Sequence, residues 1–261
     1  MTERQPMKDM PDMHHDGGQR TARGQGVPWI WIAPIPVALV IGLLIGLQLP
    51  SPGDAAQAPA GTSQGPTEPA GEKDPTDVAR LEPGDETAVG SVDAPVVMVA
   101  YTDFQCPYCA KWTDGTLPQL MDKYVDSGQL RIEWRDLDVF GQTSLVAARA
   151  GQAAAMQGGY QAFHARMAKG GSIASASAYG DANLKSTAED LGLDGDRFLS
   201  DMDSRQAKDA VERNINEARS LGVASTPVFL INQSPFVGAQ PTENFVQAID
   251  AELQKTTEGA G

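Results

Sequence analysis

The chain has 261 residues, a formal net charge of −14 and only two cysteines. An acidic chain without a basic cluster or a stacking motif excludes nucleic acid and anionic membrane surfaces as electrostatic partners. Its length allows one or two domains, and its glycine and proline crowd into the first third.

Residues 1–26 are polar and charge-balanced and read as a disordered cytoplasmic tail. His14 and His15 stand there without a third metal ligand. Residues 24–53 carry no charge, and Val27–Leu49 is almost continuously apolar, long enough to span a bilayer as a helix. Trp29 and Trp31 fall at its start, where interfacial aromatics belong. Arg20 and Arg23 precede the run, and Asp54 and Glu68 follow it. That bias places the N-terminus in the cytoplasm and the remainder outside the cell membrane. A cleaved signal peptide is the competing reading, and the run is too long and starts too late for it. Residues 50–77 are rich in Pro, Ala, Gly and Ser. Such a composition cannot bury a core and reads as a tether reaching on the order of 30 Å.

Residues 78–261 are enough for one domain with a core of its own. Pro95–Tyr101 is a short two-sided apolar run and predicts a buried central strand. Thr102–Gln105 predicts a turn, with Cys106 at the N-cap of a helix and Pro107 at its first position. That helix is expected to break near Gly115 and Pro118 and to resume over Gln119–Tyr124. Leu130–Arg135 alternates and predicts a second strand. Helices are expected over Ser144–Gln157, Tyr160–Lys169 and Arg205–Leu221, with a capping box at Ser186 and Glu189. Met156 and Met167 read as core residues of this block. Pro227–Asn232 predicts a strand, Phe236–Val237 its hairpin partner, and Thr242–Leu253 a final helix. The order is that of an α/β domain with a helical block inserted in its middle, at about residues 142–222.

Cys106-Pro107-Tyr108-Cys109 carries the chemistry. Residues i and i+3 on a helical turn are neighbours, within disulfide reach. So small a ring removes little chain entropy and makes a poor structural staple. A cysteine at a helix N-terminus has its thiolate stabilised by backbone N–H groups and the helix dipole. Cys106 is therefore expected to attack or be attacked, and Cys109, less exposed, to resolve the mixed disulfide. Half of a zinc site is the rival reading, but zinc wants four ligands, and the domain offers no other cysteine and only His164.

Asp103–Cys109, the helical insertion and Gly222–Ile231 together resemble DsbA-type thioredoxin-fold proteins, and more closely their single-anchor extracytoplasmic members from Gram-positive bacteria. The resemblance covers about residues 78–256. It implies a thioredoxin fold with an inserted helical subdomain, and a cis peptide bond at Thr226-Pro227 beside the cysteines. Thr226 and Pro227, with Pro107 and Tyr108, would then line a groove for an extended substrate segment. Phe104 and Trp112 are further candidates for apolar surface there. The sequence departs from the family's strongest oxidants, which have His where Tyr108 stands, and Ala100 occupies the position of an often-buried acid. Asp103 and Glu133 are the unranked alternatives for a proton relay to Cys109.

The reading is a membrane-tethered thiol–disulfide oxidoreductase that oxidises secreted or cell-envelope proteins through a Cys106–Cys109 couple, without cofactor or metal. Reoxidation by a quinone-linked membrane partner is implied by the resemblance alone. A reductase or isomerase using the same pair, or a tethered peptide-binding module without activity, are the competing readings.

Overall fold

The computed structural model describes residues 77–258. The expected cytoplasmic tail, membrane span and, save for its last residue, tether lie outside the described residues. Among those described, no helix is long and apolar enough to cross a membrane.

Five strands form one sheet in the order β1-β3-β2-β4-β5. They are β1 Ala88–Val89, β2 Val96–Thr102, β3 Leu130–Asp136, β4 Val228–Ile231 and β5 Ser234–Val237. β2 and β3 run parallel, from Val96 opposite Leu130 to Thr102 opposite Asp136, and the other pairs are antiparallel. β2 is central, and all of its residues are buried, as its apolar run requires.

The chain leaves β2 through a short turn into α1 (Pro107–Lys111). The expected break at Gly115 and Pro118 does not occur. A π-helical turn, Trp112–Thr116, leads directly into α2 (Leu117–Leu120), and a second π turn covers Met121–Val125. Pro118 sits in the first turn of α2, and the wider turn before it accommodates the ring and the missing N–H.

Between β3 and β4 lies the helical insertion: α3 Gln142–Ala155, α4 Tyr160–Met167, α5 Asp181–Asp190, α6 Gly195–Asp203 and α7 Arg205–Ser220. Small side chains let these helices approach closely: Ala147, Ala150, Ala153 and Ala154 of α3 share a core with Phe163, Leu184 and Phe198. Asp194 caps α6 by accepting the Arg197 N–H at 2.9 Å, and Ser204 caps α7 by accepting that of Ala207 at 3.1 Å. Ser186 and Glu189 form no capping box, because both lie inside α5, which begins five residues before Ser186. The last helix, α8 (Thr242–Glu258), buries Phe245 against Phe229 of β4, ring centroids 5.0 Å apart.

β3 is the strand its alternation predicts, and it is buried on both faces. Alternation ordinarily marks a strand with one wet face, yet all seven residues of β3 are buried. Leu130, Ile132 and Trp134 enter the apolar core with Trp112, Phe229 and Phe245. On the opposite face Glu133 accepts hydrogen bonds from Arg131 Nε at 2.9 Å and Arg135 at 2.7 Å. The backbone N–H groups of Arg80 and Leu81 also donate to Glu133, each at 2.9 Å, and Arg135 Nε reaches Glu217 of α7 at 3.0 Å. Charge pairing thus replaces solvent on that face, and it straps the segment entering the domain to the sheet.

Candidate active site

The C-terminal end of β2 delivers Asp103, and the turn after it places Cys106 at the N-cap of α1 in an extended conformation, with Pro107 inside the first turn. The Cys106 sulfur accepts the Cys109 N–H at 3.3 Å. It lies 3.3 Å from the carbonyl oxygen of Thr226, to which its thiol donates. The Thr226-Pro227 peptide is cis. Two motifs 120 residues apart therefore meet at one sulfur atom.

Both cysteines are free thiols. The expected difference in exposure is absent: Cys106 is 1% exposed and Cys109 3%. Tyr108 between them stands 62% exposed. The cysteines differ instead in who donates to whom. The hydrogen bond from the Cys109 side chain, opposed by burial and helped by the backbone N–H groups of Cys109 and Tyr108, brings the Cys106 thiol down to about 6. At pH 7 that leaves about ten thiolates for each thiol. Burial first, and then the hydrogen bond and charge at Cys106, push the Cys109 thiol far up. One sulfur is poised as a thiolate and the other is kept as a thiol.

The two candidate relay acids separate cleanly. Glu133 belongs to the ionic layer across the sheet. Burial pushes its carboxyl up, but the Arg80 N–H and the guanidinium groups of Arg131 and Arg135 hold it at about 2. Asp103 is at the site. Its backbone carbonyl accepts the Cys106 N–H at 2.9 Å, and its carboxylate accepts the N–H groups of Gln105 at 2.8 Å and Phe140 at 3.3 Å. Burial nevertheless pushes the Asp103 carboxyl up. Asp136, which the sequence does not single out, ends β3 beside it. It accepts hydrogen bonds from the Thr102 hydroxyl at 3.1 Å and the Tyr160 hydroxyl at 2.8 Å, and burial pushes its carboxyl up to about 7. Its signal was positional: it closes a parallel strand, at the edge where α/β sheets gather their sites.

Tyr108, Thr226 and Pro227 line an open, mainly apolar cleft together with Gly238, Ala239 and Gln240. Those last three are ordinary loop residues and carry no sequence signal. Phe104 and Trp112 do not join the cleft, because both are buried in cores. Phe104 packs edge-on against Phe163 at 5.7 Å, and Trp112 against Phe229 at 4.8 Å. Met167 is buried and Met156 half-buried. Among the described residues no three His, Cys, Asp or Glu side chains are grouped to hold a metal.

The chain is 32% identical over 155 residues to a Na(+)/H(+) antiporter NhaA 3 of Salinispora tropica, covering 58% of this chain. It spans only 22% of that antiporter's length. It is 25% identical over 174 residues to the probable disulfide bond formation protein D of Bacillus anthracis, covering 65% of this chain and 79% of that protein. In fold it is similar to oxidised BdbD of Bacillus subtilis, with a TM-score of 0.59 and 18% identity over 66% of this chain and 94% of that one. The thioredoxin family model matches residues 82–251, a stretch that holds the cysteine pair, the helical insertion and the cis-proline loop. The chain belongs to the thioredoxin family.

Proposed function

We propose that this protein is an extracytoplasmic thiol–disulfide oxidoreductase that donates a Cys106–Cys109 disulfide to secreted or cell-envelope proteins. The observation that carries the proposal is the asymmetry of the two sulfurs. Cys106 collects hydrogen bonds that favour its thiolate, whereas Cys109 is buried as a thiol. A stabilised thiolate favours the dithiol form, and a protein whose reduced form is stabilised is an oxidant. The name of the Bacillus anthracis relative supports the same direction.

In the reaction a substrate thiolate attacks the Cys106 sulfur of the disulfide, and Cys109 leaves and takes up a proton. A second substrate thiolate then attacks the substrate sulfur of the mixed disulfide, and Cys106 leaves as its thiolate. The cleft of Tyr108, Thr226 and Pro227 receives the substrate as an extended segment beside Thr226. Val27–Leu49 holds the domain at the outer face of the cell membrane through the 50–77 tether. A quinone-linked membrane partner reoxidises the pair.

Trapping tests the proposal. The full chain carrying Cys109→Ser, expressed in a host envelope, is expected to accumulate mixed disulfides between Cys106 and envelope proteins. A Cys109→Ser chain that captures no partner, although Cys106 remains alkylatable, contradicts it.

A further inference from the structure

Most lysines of the domain are held by a carboxylate. Lys123 meets Asp250 at 3.6 Å, Lys208 meets Asp203 at 3.4 Å, Lys255 meets Glu252 at 2.6 Å, and Lys185 meets Asp196. The remaining two, Lys111 and Lys169, are exposed and have no carboxylate partner among the described residues, in a chain of formal charge −14. Both stand against the cysteine helix. Lys111 is the last residue of α1, with its Nζ 5.6 Å from the ring centroid of Tyr108. Lys169 opens the turn Lys169–Gly171, in which Gly170 and Gly171 take φ of 73° and 67°. Those angles favour glycine, and they fold the turn onto α1: a Cβ on Gly171 would lie 3.7 Å from Lys111 Cα. The Gly170 N–H donates to the Asp114 carboxylate at 2.9 Å and fixes the turn there. Arg166, one turn before Lys169 on α4, is exposed and unpaired among the described residues as well. Three cations against the carboxylate of Asp114 leave this patch positive, whereas the other unpaired arginines, Arg149, Arg213 and Arg219, each line a different cavity.

We propose that Lys111, Arg166 and Lys169 form a cationic margin to the cleft, which selects cysteine-bearing polypeptides carrying Asp or Glu close to the reactive cysteine. The inference rests on the oxidoreductase reading above and names the class of substrate it prefers. Tyr108 joins the two surfaces: it lines the cleft with Thr226 and Pro227, and the Lys111 ammonium lies over its ring. The insertion extends the margin past the cysteine turn, where Gln105 Nε2 donates to the Ala174 carbonyl at 3.4 Å and Ile173 is 37% exposed. A segment seated in the cleft therefore passes Tyr108 toward ammonium groups that lack a counter-ion.

Charge balance gives this margin its use. At physiological salt the field of the chain's distant acids is screened beyond about 8 Å, whereas cations in contact with a partner act inside that length. An acidic polypeptide is repelled by the domain at large and accepted at this face, which brings its cysteine toward Cys106. A lysine already paired within the domain would first have to release its own carboxylate, and Lys111 and Lys169 have none to release. Resting the Lys111 stem on the Tyr108 ring holds the ammonium in place and leaves it in water.

The test uses the full oxidised chain in a neutral detergent and two reduced peptides. Each peptide carries a pair of cysteines, flanked by Glu in one and by Gln in the other. Disulfide transfer is followed by quenched flow. Each rate is divided by that of the same peptide with hydroxyethyl disulfide, a neutral oxidant, which removes differences in thiolate content. The Glu peptide is expected to react about tenfold faster at low salt, the low end of electrostatic steering. The advantage should vanish at about 1 M salt, where the Debye length is about 3 Å. Lys111→Glu with Lys169→Glu is expected to reverse the preference, and Lys111→Arg with Lys169→Arg to keep it. Lys208→Glu with Lys255→Glu changes the total charge equally and is expected to keep the preference too. Equal rates for the two peptides in wild type overturn the proposal. So does an equal loss of preference in the Lys208 and Lys255 variant, which would mark the effect as one of total charge. If wild type transfers its disulfide to neither peptide, the oxidoreductase reading itself fails, a result distinct from equal transfer to both.

Discussion

The domain buries polar groups in two places, and the two obey opposite rules. In the ionic layer across β3 every charge has a close partner. Glu133 takes four hydrogen bonds and Arg135 bridges Glu133 and Glu217. Behind the cysteines, partners are fewer than the buried groups. Asp136 is pushed up to about 7, His164 is held down at about 4, and Cys109 is pushed far up, with burial the leading cause each time. Paired burial fixes charges and makes a region inert, whereas unpaired burial moves titrations toward neutrality and makes a region reactive. Of the two acids the sequence nominated as a relay, Asp103 lies at the cysteine turn and Glu133 in the ionic layer.

Removing Cys106 should erase the reactive region outright. Cys106→Ser is expected to abolish disulfide exchange with a reduced peptide while leaving the thermal transition of the fold in place. Glu133→Ala attacks the other region. It leaves Arg131 buried without a carboxylate and Arg135 with Glu217 alone, and should cost about 3–5 kcal/mol in urea unfolding. The same variant should leave the Cys106 titration where it was, because none of the groups that lower it lies in the ionic layer. A large shift of that titration would dissolve the distinction between the regions.

Titration sharpens the contrast. Alkylation of Cys106 in the reduced chain should be half-maximal near pH 6, and the thiolate's contribution to the dithiol form should be lost as pH falls through that value. Asp136 runs the other way. Its folded titration lies near 7, above the ordinary 3.8, so its burial destabilises the domain increasingly as pH rises between those values. Asp136→Asn should therefore gain stability relative to wild type over that window, read by denaturation at several pH values. Glu133 supplies the opposite sign: its contribution is complete above its ordinary 4.5 and is lost as pH falls toward 2. The smallest effect expected is Ser204→Ala, about 1 kcal/mol from the lost cap of α7.

Much of this architecture was legible in the chain, for reasons that are local. The apolar run of β2, the Cys-Pro step into α1 and the stripe of α7 each carry their own periodicity or cap. The cis bond at Thr226-Pro227 was reached only through family resemblance, since a Thr-Pro step before a strand is ordinary. The readings that failed depend on partners distant in sequence. The burial of β3's polar face was not legible because Glu217 and the 80–81 backbone, which pair with Arg135 and Glu133, lie elsewhere in the chain. Gly115 and Pro118 read as a break because a π turn has no composition of its own. Gly238–Gln240 and Asp136 join the site by topology alone, and the burial of Cys106 follows from the cis-proline loop closing over it.

The reduction potential of the full chain, equilibrated against glutathione, tests the central claim most directly. An oxidase with a stabilised Cys106 thiolate should lie between about −180 and −120 mV, more oxidising than protein disulfide isomerase. A value near −270 mV, that of thioredoxin, would contradict the oxidase and make the pair a reductant. The absence of any reversible two-electron couple would remove the enzyme altogether.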